Sequence, residues 1–123
     1  MIGYVTVGTN DFAAAFTFYD ELLSSIGATC FFQHGTMAVW GKNREEPSLS
    51  LTAPHNGEAA TVGNGMMVAL KMADREQVDL LHAKGLELGA QDEGQPGARG
   101  EHGFYGAYLR DLDGNKLCTY VPG

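Results

Sequence analysis

The two halves of this chain repeat one another, and a repeat inside 123 residues leaves few folds open. "YVTVGTND" (4–11) is an alternating apolar run closed by an Asn-Asp helix start. Apolar residues then fall at Phe12, Phe16, Tyr19, Leu23 and Ile26, one face of a helix, before Gly27 stops it. "MVALKMAD" (67–74) opens the second half in the same way, and Gln77, three residues beyond Asp74, makes a capping-box pattern. Val78, Leu81, Gly85 and Leu88 continue that helical face up to Gly89. Val5 matches Val68 and Asp11 matches Asp74 at an offset of 63, and "IGA" (26–28) matches "LGA" (88–90) at 62. "TMAVW" (36–40) matches "FYGAY" (104–108), and "SLSLTAP" (48–54) matches "KLCTYVP" (116–122), both at 68. The drift from 62 to 68 puts small insertions in loops, where they cost little. Each half reads strand, helix, strand, strand, strand. The expectation is one α+β domain, 1–123, made of two pseudo-symmetric βαβββ modules, 1–53 and 66–123, that form a curved mixed sheet around a cleft. The Gly- and Asn-rich stretch 54–65 is the joining loop.

Strand alternation then sorts side chains onto two faces. Leu49 and Leu51 are expected against a helix, leaving Ser48, Ser50 and Thr52 opposite; Leu117 and Val121 likewise leave Cys118 and Tyr120. Val5 and Val7 leave Tyr4 and Thr6, and Val68 and Leu70 leave Met67 and Ala69. Asp113-Gly114-Asn115, between two alternating runs, is a hairpin signal whose register sets Tyr108 across from Cys118. The offset of 68 makes Trp40 the mate of Tyr108 and assigns it the same face. The cleft is therefore expected to be lined by Tyr4, Thr6, Trp40, Ser50 and Thr52 from the first half. Met67, Tyr108, Cys118 and Tyr120 come from the second. Aromatics, hydroxyls and two sulfur-bearing side chains suit a small-molecule pocket, with ligand binding read out by Trp40 fluorescence. They suit a closed interior equally well, and both readings stay open here.

Charge excludes more than it identifies. Lys and Arg number 8 against 15 Asp and Glu, a net charge of −7, so the basic face of a nucleic-acid binder is not expected. The acidity mildly favours cationic ligands. "MIGYVTVGTND" has no basic stretch or long apolar run, so neither a signal peptide nor a membrane span is expected. Cys30 and Cys118, the two cysteines, form no CxxC pair, and a reducing cytoplasm with two free thiols is the expected setting.

On "YVTVGTNDFAAAFTFYDELLSSIGA" and "GFYGAYLRDLDGNKL", together with the paired modules, the chain resembles the glyoxalase/bleomycin resistance/dioxygenase family, also called the vicinal oxygen chelate superfamily. The resemblance spans essentially the whole chain and implies a glyoxalase-like fold. It also implies a homodimer, a pairing that would cover exposed sheet edges. Metal-dependent members hold a divalent ion with His and Glu side chains, one from each of four symmetric strands. Carried over, those places fall on Tyr4, Ser50, Met67 and Cys118, none of them a His or carboxylate. Such ions want imidazole and carboxylate donors, so neither metal nor cofactor is expected, and no catalytic residue is assigned.

The remaining candidates are weaker. His34, His55, His82 and His102 show no helical metal spacing; His82 is expected off the apolar stripe in solvent, and His102 in a surface loop. Cys118 as a nucleophile would need a depressed pKa, for which Lys116 is the nearest cation, and an inert buried thiol is the plainer reading. Glu45-Glu46 and Asp92-Glu93 read as solvated loop pairs. No phosphate-binding glycine motif occurs, despite 17 glycines. The leading expectation is a metal-free protein that binds a small organic molecule. The alternative is a lactoylglutathione lyase-like or dioxygenase-like enzyme with an atypical metal site or metal-independent chemistry. A purely structural or partner-binding protein fits less well, because the cleft face mixes hydroxyls with aromatics.

Overall fold

A computed structural model describes residues 1–123. The first half holds β1 (Tyr4–Gly8), α1 (Phe12–Ser24), β2 (Thr29–His34), β3 (Met37–Gly41) and β4 (Ser48–Thr52). The second holds β5 (Val68–Lys71), α2 (Arg75–Glu87), β6 (Gln91–Arg99), β7 (Phe104–Arg110) and β8 (Lys116–Val121). The strand–helix–strand–strand–strand order is present twice. The chain divides into two compact units, Met1–Gly63 and Asn64–Gly123, each with one four-stranded sheet. The strand orders are β1-β4-β3-β2 and β5-β8-β7-β6, equivalent position for position. In each, the first and last strands run parallel and the other pairings are antiparallel, so the fold is α+β with mixed sheets. No helix is long and apolar enough to cross a membrane.

The helices begin and end where local chemistry dictates. Asp11 accepts from the Ala14 N–H at 3.1 Å, and Asp74 from the Gln77 N–H at 2.8 Å, each satisfying an orphan donor of the first turn. Gln77 reaches back to the Ala73 N–H at 2.8 Å, completing the box. Both helices run 13 residues and stop just before a left-handed glycine, Gly27 or Gly89. α1 buries Ala15, Phe18, Tyr19, Leu22 and Leu23, and α2 buries Val78, Leu81, His82 and Gly85. Against α2, the Tyr105 hydroxyl bonds Asp79 at 2.6 Å while the Arg75 guanidinium lies over its ring. In the first unit, Asn10 exchanges two hydrogen bonds with the backbone of Ala60, tying the segment after β4 back to the start of α1.

One expected side-chain direction is reversed. Trp40 is 1% exposed, and its indole packs on Phe16 and Tyr19 of α1 at 5.3 and 6.0 Å between ring centres. Its Nε1 donates to Asp20 at 3.0 Å. Trp40 therefore faces the helix and does not line the opposite sheet face. The cause is the length of one turn. Trp40 pairs with Leu49 and Val39 with Ser50, whereas Tyr108 pairs with Cys118, so Val39 is the mate of Tyr108, at an offset of 69. The β3–β4 connection is one residue longer than its counterpart, and a one-residue slip turns every side chain of a strand to the other face.

Candidate functional site

Each sheet turns one face to its helix and leaves the other free of helices. In the first unit that second face carries Tyr4 and Thr6 of β1 beside Ser50 and Thr52 of β4, with Thr6 paired to Ser50 in register. Val39 takes the place expected for Trp40. Tyr4 and Thr6 are exposed, whereas Ser50 is 0% exposed and its hydroxyl has no hydrogen-bond partner. An unpaired buried hydroxyl costs about 1–3 kcal/mol. The Thr52 hydroxyl is already committed to the Ala53 carbonyl at 2.8 Å. A bulge between Cys30 and Phe32 interrupts β2, where Phe31 and Phe32 are both exposed. Phe31 reaches the Gly41 end of β3, an aromatic contribution that the irregular alternation of "TCFFQH" conceals.

In the second unit, Tyr108 lies directly across from Cys118, as the hairpin register requires. Tyr120 follows on the same face and stacks on Phe104, with ring centres 5.4 Å apart and planes 12° from parallel. Met67 is exposed just ahead of β5. Cys118 is buried, and burial pushes its thiol above the ordinary range. A hydrogen bond with Tyr108 and the charges of Lys116 and Arg99 oppose the shift without reversing it. The raised value disfavours the thiolate, the reverse of what a nucleophile needs.

Three cations outside the expected site residues share this face or border it, of which only Lys116 is weighed in the sequence. Arg99, at the end of β6, holds its guanidinium 5.6 Å from the centre of the Tyr108 ring, and the Lys116 ammonium lies 5.5 Å from the same centre. Arg110 pairs with Glu93 at 2.7 Å. The repeat calls for a strand here, but its bounds are obscured, because Gly94 and Gly97 break its alternation and two register shifts interrupt its pairing. Those glycines admit the neighbours: a Cβ on Gly94 would stand 2.9 Å from Tyr108 Cδ2, and one on Gly97 2.9 Å from Arg99 Nη1.

Two polar expectations are corrected here. His82 is 2% exposed on the buried stripe of α2, one turn after Val78, and bonds Asp92 Oδ1 through Nε2 at 3.0 Å. Asp92 and Glu93 are strand residues of β6, each engaged with a partner. Asp92 also accepts from the Gly94 N–H at 2.9 Å and from the Gln95 amide at 2.6 Å. The Gly94 bond is the main cause holding its carboxyl below the ordinary value, with His82 and Gln95 adding to it against an opposing desolvation effect. A lowered folded-state pKa means that this stabilisation is complete above the unfolded carboxylate range. It is lost as pH falls through the folded value. Asp92→Asn should accordingly flatten the acid end of the stability profile relative to wild type, as measured by urea unfolding between pH 5 and 2. Parallel acid limbs in the two proteins would contradict it. His102 lies exposed in the β6–β7 turn, and Glu45 and Glu46 are exposed in a loop, as expected.

No three His, Cys, Asp or Glu side chains come together as a metal site would require. The four positions carried over from metal-dependent relatives offer an exposed phenol, a buried hydroxyl, an exposed thioether and a buried thiol. That donor set does not fit a divalent ion.

No family model and no curated protein matches the sequence. Among solved structures, the chain is similar to a glyoxalase/bleomycin resistance protein from Albidiferax ferrireducens T118. The identity is 35% over 100% of this chain and 99% of that one, with a TM-score of 0.90. It is also similar to a glyoxalase-related enzyme from Fulvimarina pelagi, at 23% identity over 98% and 87% of the two chains, TM-score 0.78. A lactoylglutathione lyase from Agrobacterium tumefaciens aligns at 20% identity over 98% and 92%, TM-score 0.71. The last two likenesses speak for the fold alone.

Proposed function

The chain belongs to the glyoxalase/bleomycin resistance/dioxygenase family, and from that premise we propose that it binds a small organic molecule without the help of a metal ion. The observation that carries this reading is the donor set at the four equivalent strand positions, Tyr4, Ser50, Met67 and Cys118. Each position carries a weak donor where the metal-dependent pattern needs an imidazole or a carboxylate. Lewis-acid catalysis of the lyase or dioxygenase kind has no ligands to rest on here.

What these faces offer is contact chemistry. The Phe104–Tyr120 stack and the exposed Phe31, Phe32 and Tyr4 supply flat apolar surface. The Ser50 hydroxyl, fully buried beneath this face, is an uncommitted polar group. Protein purified without chelators should contain far less than one equivalent of nickel, zinc, iron or manganese per chain by elemental analysis. A stoichiometric ion that survives dialysis would overturn the reading and promote the enzyme alternative.

A further inference from the structure

We propose that Asn64 is a site of spontaneous covalent modification, at which the chain's own backbone converts the side-chain amide to a succinimide and then to aspartate or isoaspartate. The reaction needs no ligand and stands apart from the small-molecule reading.

Such a conversion needs a nucleophile, an electrophile and room. The nucleophile is the backbone nitrogen of the residue that follows an asparagine or aspartate, and the electrophile is the side-chain Cγ. A following glycine favours the attack, because no Cβ restricts the backbone or crowds the approach. The sequence has three such steps, Asn56-Gly57, Asn64-Gly65 and Asp113-Gly114. Residue identity ranks the two Asn-Gly steps together, and the turns that hold them separate the two.

A β-turn closes through the N–H of its fourth residue, and the N–H of its third takes no part. Gly57 is the fourth residue of its turn, and its N–H donates to the Pro54 carbonyl at 3.0 Å. Gly114 is likewise fourth, and its N–H donates to the Asp111 carbonyl at 3.0 Å. In both, the nitrogen that would attack is held on a carbonyl behind it. Asn64 and Gly65 are instead the two central residues of their turn, and the Gly65 N–H makes no hydrogen bond. The side chains divide in the same way. Asn56 Nδ2 donates to Glu58 Oε2 at 3.2 Å, and its Oδ1 accepts from the Glu58 N–H at 3.0 Å, so both ends of that amide are committed. The Asn64 amide bonds to nothing in the protein, and residues 61–67 are all exposed. Gly65 has φ +98°, and a Cβ built on it would meet no atom within 4 Å, so the reacting pair has open space around it.

Base removes the Gly65 N–H proton, and the nitrogen forms a bond to Asn64 Cγ. The Cγ–Nδ2 bond breaks and ammonia leaves, closing the succinimide ring. Water then opens the ring at either carbonyl. One opening restores the main chain with an aspartate side chain, and the other routes the main chain through the former side-chain carbonyl, as isoaspartate. No electrons are transferred; amide and water become carboxylate and ammonium. Each conversion adds one negative charge to a protein at −7. The isoaspartyl product also lengthens the backbone by one carbon at the boundary between the two units, shortly before Met67.

The test incubates the full-length protein at mildly alkaline pH, both native and in guanidinium chloride. After digestion at mildly acidic pH, where ring closure is slow, mass spectrometry and chromatography follow amide, aspartate and isoaspartate at positions 56 and 64. In the native protein Asn64 should convert at least about tenfold faster than Asn56, the scale set by the hydrogen bonds that Asn56 and Gly57 must break first. In guanidinium, where both turns are lost, the two rates should converge. Asn64→Gln should abolish conversion at position 64 and leave Asn56 as slow as in wild type. Equal native rates, or faster conversion at Asn56, would overturn the proposal. So would a native Asn64 that stays inert while the unfolded chain reacts. A lead for Asn64 that persists undiminished in guanidinium would overturn it too, because neighbouring residues and not the turn would then be the cause.

Discussion

Trp40→Ala should destabilise the protein by about 3–5 kcal/mol, the range for deleting a large aromatic from a packed core. The ring is wedged between β3 and α1, against Phe16 and Tyr19, and truncation leaves a void that a helix pinned at both ends cannot close. The same change strips Asp20 of its indole donor. Trp40→Phe separates the two effects: it keeps most of the packing and loses the hydrogen bond, at about 1–2 kcal/mol. Urea unfolding followed by circular dichroism measures both. A loss below 1 kcal/mol for the alanine variant would mean that the indole does not hold α1 to its sheet. Because the ring faces the helix, its emission should follow folding of the first unit. That replaces its expected role as a direct reporter of ligand.

Trp40 also shows where the sequence stops being legible. The repeat disclosed the module order, both helices with their caps, and the final hairpin, because each rests on spacing within one continuous segment. The two helices match residue for residue, from Phe12 to Arg75 and from Ser24 to Glu87. Side-chain direction in β3 rests instead on a turn whose length differs between the halves. Apolar content does not reveal the slip, since Ala38, Val39 and Trp40 are all buried, whichever way they point. The bounds of β6 are illegible for a different reason. "QDEGQPGAR" has neither alternation nor β-branched residues, and it becomes a strand through its pairing with β7. The repeat calls for a strand after α2 without fixing its residues, so Arg99 has no assigned neighbour and the cations of this face stay unplaced. His82 was misread because its polarity outweighed its position; at i+4 from Val78 it falls on the buried stripe, and Asp92 supplies the partner that burial demands.

Asp111→Ala should lower stability by about 2–3 kcal/mol, because more than one backbone donor loses its acceptor at once. Asp111 is buried at the end of β7, and its Oδ1 accepts from the N–H groups of Asp113 and Asn115 at 2.9 and 2.8 Å. Its Oδ2 accepts from the Asn115 amide at 2.9 Å. The carboxylate thus organises the turn from inside, while Gly114 supplies the left-handed residue and Arg110 clasps the Gly114 carbonyl at 2.9 Å. Asp111→Asn keeps one acceptor oxygen for the backbone donors and should lose about 1 kcal/mol. The consequence reaches the candidate site through register. This turn is what sets Cys118 opposite Tyr108 and brings Lys116 level with Arg110, so loosening it loosens the cationic face before the rest of the sheet. Hydrogen exchange in the alanine variant should therefore accelerate first at Leu117, Cys118 and Thr119. Exchange there matching wild type, with stability unchanged within about 0.5 kcal/mol, would show that strand pairing holds the register without Asp111.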